Sequence, residues 1–126
     1  MNQEKTATAK KGGSSVNQAM HLVVYPAKDM DKSKALFREL LGVEPYIDSS
    51  YYTGFRTGDL EIGLDPNARS SGPIAYWQVG DIKASLQNLL DVGAQREQDV
   101  KDVGRGLLIA TVKDADGNTI GLRQTP

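Results

Sequence analysis

Asp29-Met30-Asp31-Lys32-Ser33-Lys34-Ala35-Leu36-Phe37-Arg38-Glu39-Leu40-Leu41-Gly42 and Asp81-Ile82-Lys83-Ala84-Ser85-Leu86-Gln87-Asn88-Leu89-Leu90-Asp91-Val92-Gly93 follow one pattern. Each opens on an aspartate, whose side chain can accept from the free amides of a first helical turn. Each closes on a glycine, which tolerates the left-handed conformation that ends a helix. In the first, Met30, Phe37, Leu40 and Leu41 fall at helical spacing with Leu36 beside them, while Lys32, Lys34, Arg38 and Glu39 take the outer face. Asp31 adds negative charge where the helix dipole favours it. In the second, Ile82, Leu86, Leu89 and Leu90 make the apolar stripe. The spacing predicts helices over 31–41 and 82–90.

The flanks of both helices repeat as well. His21-Leu22-Val23-Val24-Tyr25, stopped by Pro26, reads as a strand before the first helix, and 74–79 reads as one before the second. After the first helix come strands at 43–47, 51–56 and 60–64, the last two joined by the turn Thr57-Gly58-Asp59. After the second come 94–98, 107–112 and 119–123, with turns at Gly104-Arg105-Gly106 and Asp114-Ala115-Asp116-Gly117-Asn118. Repetition about fifty residues apart predicts two modules, each one helix on one sheet face.

The 126 residues are 39% hydrophobic and 25% charged, as expected of one globular domain. Lys and Arg number 15 against 16 Asp and Glu, so the basic surplus of a nucleic-acid binder is missing. No apolar run reaches the ~18 residues of a membrane span. The absence of cysteine excludes disulfides and thiolate chemistry, and one histidine, His21, excludes sites that need a pair. Residues 1–19, with Lys10-Lys11-Gly12-Gly13-Ser14-Ser15, read as a flexible tail without an apolar leader, so the expected compartment is cytoplasmic. Residues 20–126 are expected to form one domain, with modules over about 20–65 and 74–124.

This order resembles the vicinal oxygen chelate superfamily, which includes glyoxalase I, extradiol dioxygenases and bleomycin-resistance proteins. The likeness is carried by Tyr25-Pro26-Ala27-Lys28-Asp29-Met30-Asp31-Lys32-Ser33, Leu40-Leu41-Gly42-Val43, Tyr76-Trp77-Gln78-Val79-Gly80-Asp81-Ile82 and Val112-Lys113-Asp114-Ala115-Asp116-Gly117-Asn118-Thr119-Ile120. Ala115 stands where the family's hairpin commonly has proline. The resemblance implies an α+β fold in which two βαβββ modules form a cupped mixed-sheet half-barrel. Metal-using members hold a divalent ion at four positions, one on the first and one on the last strand of each module. Those positions here carry Leu22, Gly63, Ile74 and Gly121, none of which ligates through its side chain. His21 is one residue from Leu22, and so on the other face of a strand. No metal and no cofactor is therefore expected.

Strand alternation places the candidate site residues. Glu61 shares a face with Gly63, Tyr76 and Gln78 share one with Ile74, and Arg123 shares one with Gly121. Ala75, Trp77 and Val79 are expected to face the helix as core. Half of Tyr51, Tyr52, Phe55 and Arg56 should line a cavity, and Tyr52 is counted with the ligand-binding set. Gly54, Gly63 and Gly121 remove side-chain volume and are expected to widen that cavity. The resemblance then implies a metal-independent protein binding a small organic molecule in a cleft between sheets, acting as a homodimer. The alternative is a metal-dependent lyase or dioxygenase of the glyoxalase I or extradiol type, with Glu61 as base and a metal held by His21, Glu61 and, as a further source of donors, a partner chain.

Overall fold

The computed structural model describes residues 20–126. The tail expected over 1–19 lies outside the described residues. The elements are β1 (Met20–Pro26), α1 (Met30–Leu41), β2 (Ile47–Asp48), β3 (Thr53–Thr57), β4 (Leu60–Asp65), β5 (Ile74–Gln78), α2 (Ile82–Asp91), β6 (Gln95–Asp102), β7 (Leu108–Lys113) and β8 (Thr119–Gln124). Each module runs βαβββ with mixed strand pairing, so the chain is α+β as its repeat predicts. Two compact units, Met20–Tyr76 and Trp77–Pro126, meet inside β5.

In the first unit the strand order is β2-β3-β4-β1. β1 runs parallel to β4, with Leu22 opposite Glu61 and Val24 opposite Gly63. β3 and β4 form a hairpin in which Gly54 lies opposite Gly63 and Arg56 opposite Glu61. Gly58 takes φ 57 in the connecting turn, where a side chain would be strained. One sheet face packs on α1: Ala27, Phe55, Ile62 and Leu64 are buried there against Val23, Tyr25, Met30, Phe37 and Leu41.

α1 starts where Asp29 accepts from the Lys32 amide at 3.2 Å, and ends at Gly42, φ 70, whose N–H donates to the Arg38 carbonyl. Its packed stripe is narrower than the spacing predicted. Met30, Phe37 and Leu41 touch the sheet, but Leu40 is 69% exposed and Leu36 58%. Residues 30, 37 and 41 lie on one side of a 3.6-residue helix, and Leu40 is turned about 100° from Leu41.

Two expected strands are corrected. The strand expected at 43–47 is replaced by Ile47–Asp48; Pro45 has no amide to give, and upstream of Ile47 the Tyr46 amide still bonds the Gly54 carbonyl of β3 at 2.9 Å. The one expected at 51–56 begins at Thr53, because 49–52 is a turn. There Ser49 Oγ donates to the Tyr52 carbonyl at 3.0 Å and accepts from the Tyr52 amide at 3.1 Å.

In the second unit β7 pairs antiparallel with both β8 and β6. α2 begins where Asp81 accepts from the Ala84 amide at 3.1 Å. It covers a core of Val79, Ile82, Leu86, Ala110, Val112 and Leu122. Trp77 is not part of that core and is 40% exposed, against the expectation that it packs under the helix. α2 packs across β6, β7 and β8, and the indole lies outside that cover. β6 is longer than expected and carries two register shifts, between Arg96 and Gln98 and between Gln98 and Lys101.

Two exposed carboxylates fasten irregular segments. Lys34 on α1 donates to Asp48 Oδ1 at 3.1 Å, and that ion pair holds the Asp48 carboxyl below its ordinary range. Asp114 is lowered chiefly by Asn118, whose side chain and amide donate to it at 2.9 and 2.8 Å. A carboxylate with a depressed folded pKa contributes stability above its unfolded value, here 3.8, and loses it as pH falls through the folded one. The urea midpoint of the native chain should therefore hold near neutrality and fall below about pH 4. Asp48→Asn and Asp114→Asn should each flatten that acid slope, and an unchanged slope in both would refute the assignment.

Candidate functional site

The sheet face turned away from α1 in the first unit carries Leu22, Val24, Gly54, Arg56, Glu61 and Gly63, by register and alternation. Glu61 is its chemical centre. Tyr46 Oη donates to Glu61 Oε1 at 3.0 Å, and Arg56 Nε donates to Glu61 Oε2 at 3.4 Å. The Arg56 guanidinium carbon lies 4.0 Å from the Tyr46 ring centroid, a cation–π contact. The Glu61 side chain keeps 19% exposure, so the carboxylate is reachable.

The two glycines of this face do not widen a cavity as expected. They seat tyrosines. A Cβ on Gly54 would lie 3.0 Å from the Tyr46 ring, and one on Gly63 would collide with the Tyr52 hydroxyl and lie 2.7 Å from its Cζ. Among the aromatic residues near β3 whose orientation alternation left open, Tyr52 thus covers the Glu61 face. Phe55 is fully buried on the α1 side, Tyr51 is 70% exposed, and Arg56 joins Glu61. Tyr46 was missed from the sequence. Its role depends on a loop conformation, and only the lone aromatic after Pro45 hinted at it.

Tyr76 is buried at the end of the first unit. In the second unit Gln78 and Arg123 share the face turned from α2, since Val79 and Leu122 next to them are core. Gln78 Nε2 donates to Thr125 Oγ1 at 3.0 Å, while Gln78 Oε1 is buried with no hydrogen-bond partner among the described residues. Within the second unit the Val79 amide donates to the Arg123 carbonyl at 2.9 Å. The Gly104-Arg105-Gly106 stretch is the tight turn its sequence predicts, with the Val103 amide bonded to the Leu107 carbonyl and all three residues at positive φ.

A divalent metal does not fit these residues. Of the four implied donor positions, Leu22 and Ile74 are aliphatic, Gly121 has no side chain, and the space above Gly63 is filled by Tyr52. His21 alternates with Leu22 and lies on the side of Val23 and Tyr25, toward α1. Among the described residues no three His, Cys, Asp or Glu side chains group together. Among the described residues, too, no helix is long and apolar enough to cross a membrane.

Solved structures similar to this chain share its fold at low identity. Methylmalonyl-CoA epimerase from Mycobacterium tuberculosis is 18% identical, with TM-score 0.67 and coverage of 93% of each chain. A glyoxalase/bleomycin resistance protein/dioxygenase superfamily member from Vibrio splendidus is 17% identical, with TM-score 0.64, over 82% of this chain and 95% of that one. The Mn(II)-bound glyoxalase from Novosphingobium aromaticivorans is 16% identical, with TM-score 0.65, over 86% of this chain and 39% of that one. No curated protein matches the sequence. The family model of the Glyoxalase/Bleomycin resistance protein/Dioxygenase superfamily matches residues 19–122, nearly the whole of both βαβββ modules, and the chain belongs to that superfamily.

Proposed function

We propose that this chain binds a small organic molecule without a metal, through the sheet face that carries Glu61. The observation that carries the reading is the Glu61 carboxylate, held by Tyr46 and Arg56 on a face whose implied metal-donor position is a glycine under Tyr52. A carboxylate fixed by two donors and still reachable is a recognition group for a ligand donor or cation. Tyr52 supplies aromatic surface on the same face. In the second unit Gln78 offers an acceptor that lacks a donor, and Arg123 offers a cation for an anionic group.

Native mass spectrometry of the purified protein tests this. A retained small molecule is expected, and Glu61→Gln should weaken its binding by about 1–3 kcal/mol, roughly five- to 150-fold in Kd. Equal retention in the variant would remove Glu61 from the site. Stoichiometric metal together with turnover of a glutathione hemithioacetal or a catechol would replace the reading with the enzymatic one.

The chain also acts as a homodimer in this reading. Support comes from Leu36 and Leu40, which lie a turn apart on α1 and are 58% and 69% exposed, more apolar surface than a solvated helix face needs. Light scattering that gives a monomer at micromolar concentration would overturn this assignment.

A further inference from the structure

The Tyr46 ring rests in a seat made almost wholly of other residues. Its floor is the Gly54 backbone, where a Cβ would stand 3.0 Å from the ring and so is missing. Its roof is the Arg56 guanidinium, 4.0 Å from the ring centroid. Its rim is Glu61, which accepts the hydroxyl at 3.0 Å. The ring belongs to neither strand of the seat. It hangs from the loop that leaves α1 at Gly42, tied at its own amide to the Gly54 carbonyl. Tyr46 is 38% exposed, unlike Phe55, which fills the core completely. A core aromatic is held by apolar contact on all sides. This one is held by a flat floor, a cation and a directed acceptor, the elements by which proteins recognise a soluble ring.

We propose that Gly54, Arg56 and Glu61 form a subsite for a flat aromatic ring bearing one hydrogen-bond donor, a seat that Tyr46 fills until such a ligand displaces it. This rests on the reading that the Glu61 face binds a small molecule, and it names the class of molecule. The donor is neutral or cationic, because a carboxylate or sulfonate on the ring edge would meet Glu61 with like charge. The ring position next to the donor on the Gly54 side carries no bulky group, because that edge already lies within 3.0–3.2 Å of where a Cβ on Gly54 would stand. Displacement requires the loop between Gly42 and β2 to lift. Two ion pairs from α1 set the resistance to that movement: Arg38 to Glu44 at 2.8 Å and Lys34 to Asp48 at 3.1 Å.

The test uses p-cresol, the side chain of tyrosine as a free molecule, with amide resonances of Gly54 and Glu61 as the readout. In the native chain p-cresol should shift both resonances saturably. In Tyr46→Ala it should bind about tenfold more tightly, because the internal competitor is gone. Toluene, which lacks the donor, should bind Tyr46→Ala at least about fivefold more weakly than p-cresol, and adding Glu61→Gln should erase that difference. Adding Arg56→Met should weaken both rings. If Tyr46→Ala does not fold, Tyr46→Leu serves in the same series. Equal binding of toluene and p-cresol, or p-cresol binding no better to a folded Tyr46 variant than to the native chain, would overturn the subsite. A co-purified molecule that still depends on Glu61 in that case would leave the broader reading standing and remove only the ring class.

Discussion

Phe55→Ala is expected to cost the protein about 3–5 kcal/mol, a large part of the ~5–15 kcal/mol that holds a domain of ordinary stability. Phe55 has no solvent exposure and sits on β3 opposite Ile62 of β4. Its ring lies 6.2 Å from that of Phe37 on α1, which is 5.1 Å from that of Tyr25 on β1. The three rings join a helix, the hairpin and the parallel strand in one contact chain. Removing Phe55, the fully buried end of that chain, loses the transfer energy of the ring and leaves a hole that α1 cannot close. α1 has no fully buried residue of its own to hold it in place. Phe55→Leu keeps most of the volume and should cost much less, under about 2 kcal/mol. Urea denaturation followed by far-ultraviolet circular dichroism measures both. A loss below about 1 kcal/mol for Phe55→Ala would mean that α1 is fastened by something other than these rings.

The second large effect is expected at Gly63. Gly63→Val puts side-chain atoms where the Tyr52 hydroxyl now lies, in a residue that is itself buried. The ring must leave or the strand must move, and overpacking of this kind costs about 1–3 kcal/mol. Tyr52→Ala clears the space at its own cost. The double variant should therefore be more stable than the sum of the single losses predicts, by about 1 kcal/mol or more. Strict additivity in that cycle would show that the two residues do not compete for one volume. Gly58→Val is a useful contrast. Nothing lies within 4 Å of its missing Cβ, so any loss there comes from φ 57 alone.

Much of this architecture was legible because its signals are local. Asp29 and Asp81 make the cap bonds their positions announce. Gly42 and Gly58 take the positive φ that their neighbours demand. The hairpin closed by Asp114 and Asn118 is written in its own few residues. Misreadings arose where a residue's fate depended on distant partners. Leu40 has the right residue type and nearly the right spacing, but the width of the stripe is set by the sheet, and it is left off the core of its own chain. Trp77 obeys the alternation of its strand and is left exposed because α2 packs elsewhere.

The site was half legible for the same reason. Alternation put Glu61 and Gly63 on one face correctly, since register in a β-pair is a parity rule. It could not show that a glycine there serves as a seat. A missing side chain reads as empty space in a sequence, and only the fold brings Tyr46 and Tyr52 back over Gly54 and Gly63. Tyr46 lies in a loop, where no period exists to place it.

Among the described residues β6 ends its sheet, with one long side paired to β7 and no strand on the other. An uninterrupted open strand invites copies of itself to add on, rung after rung, until a fibril grows. The two surplus residues in β6 break the even spacing of amides and carbonyls that an incoming strand would have to match. Lys101 and the charges beside it make the same approach costly in water. Deleting both surplus residues would straighten the ladder of β6, and the expected result is a neater sheet with lower solubility.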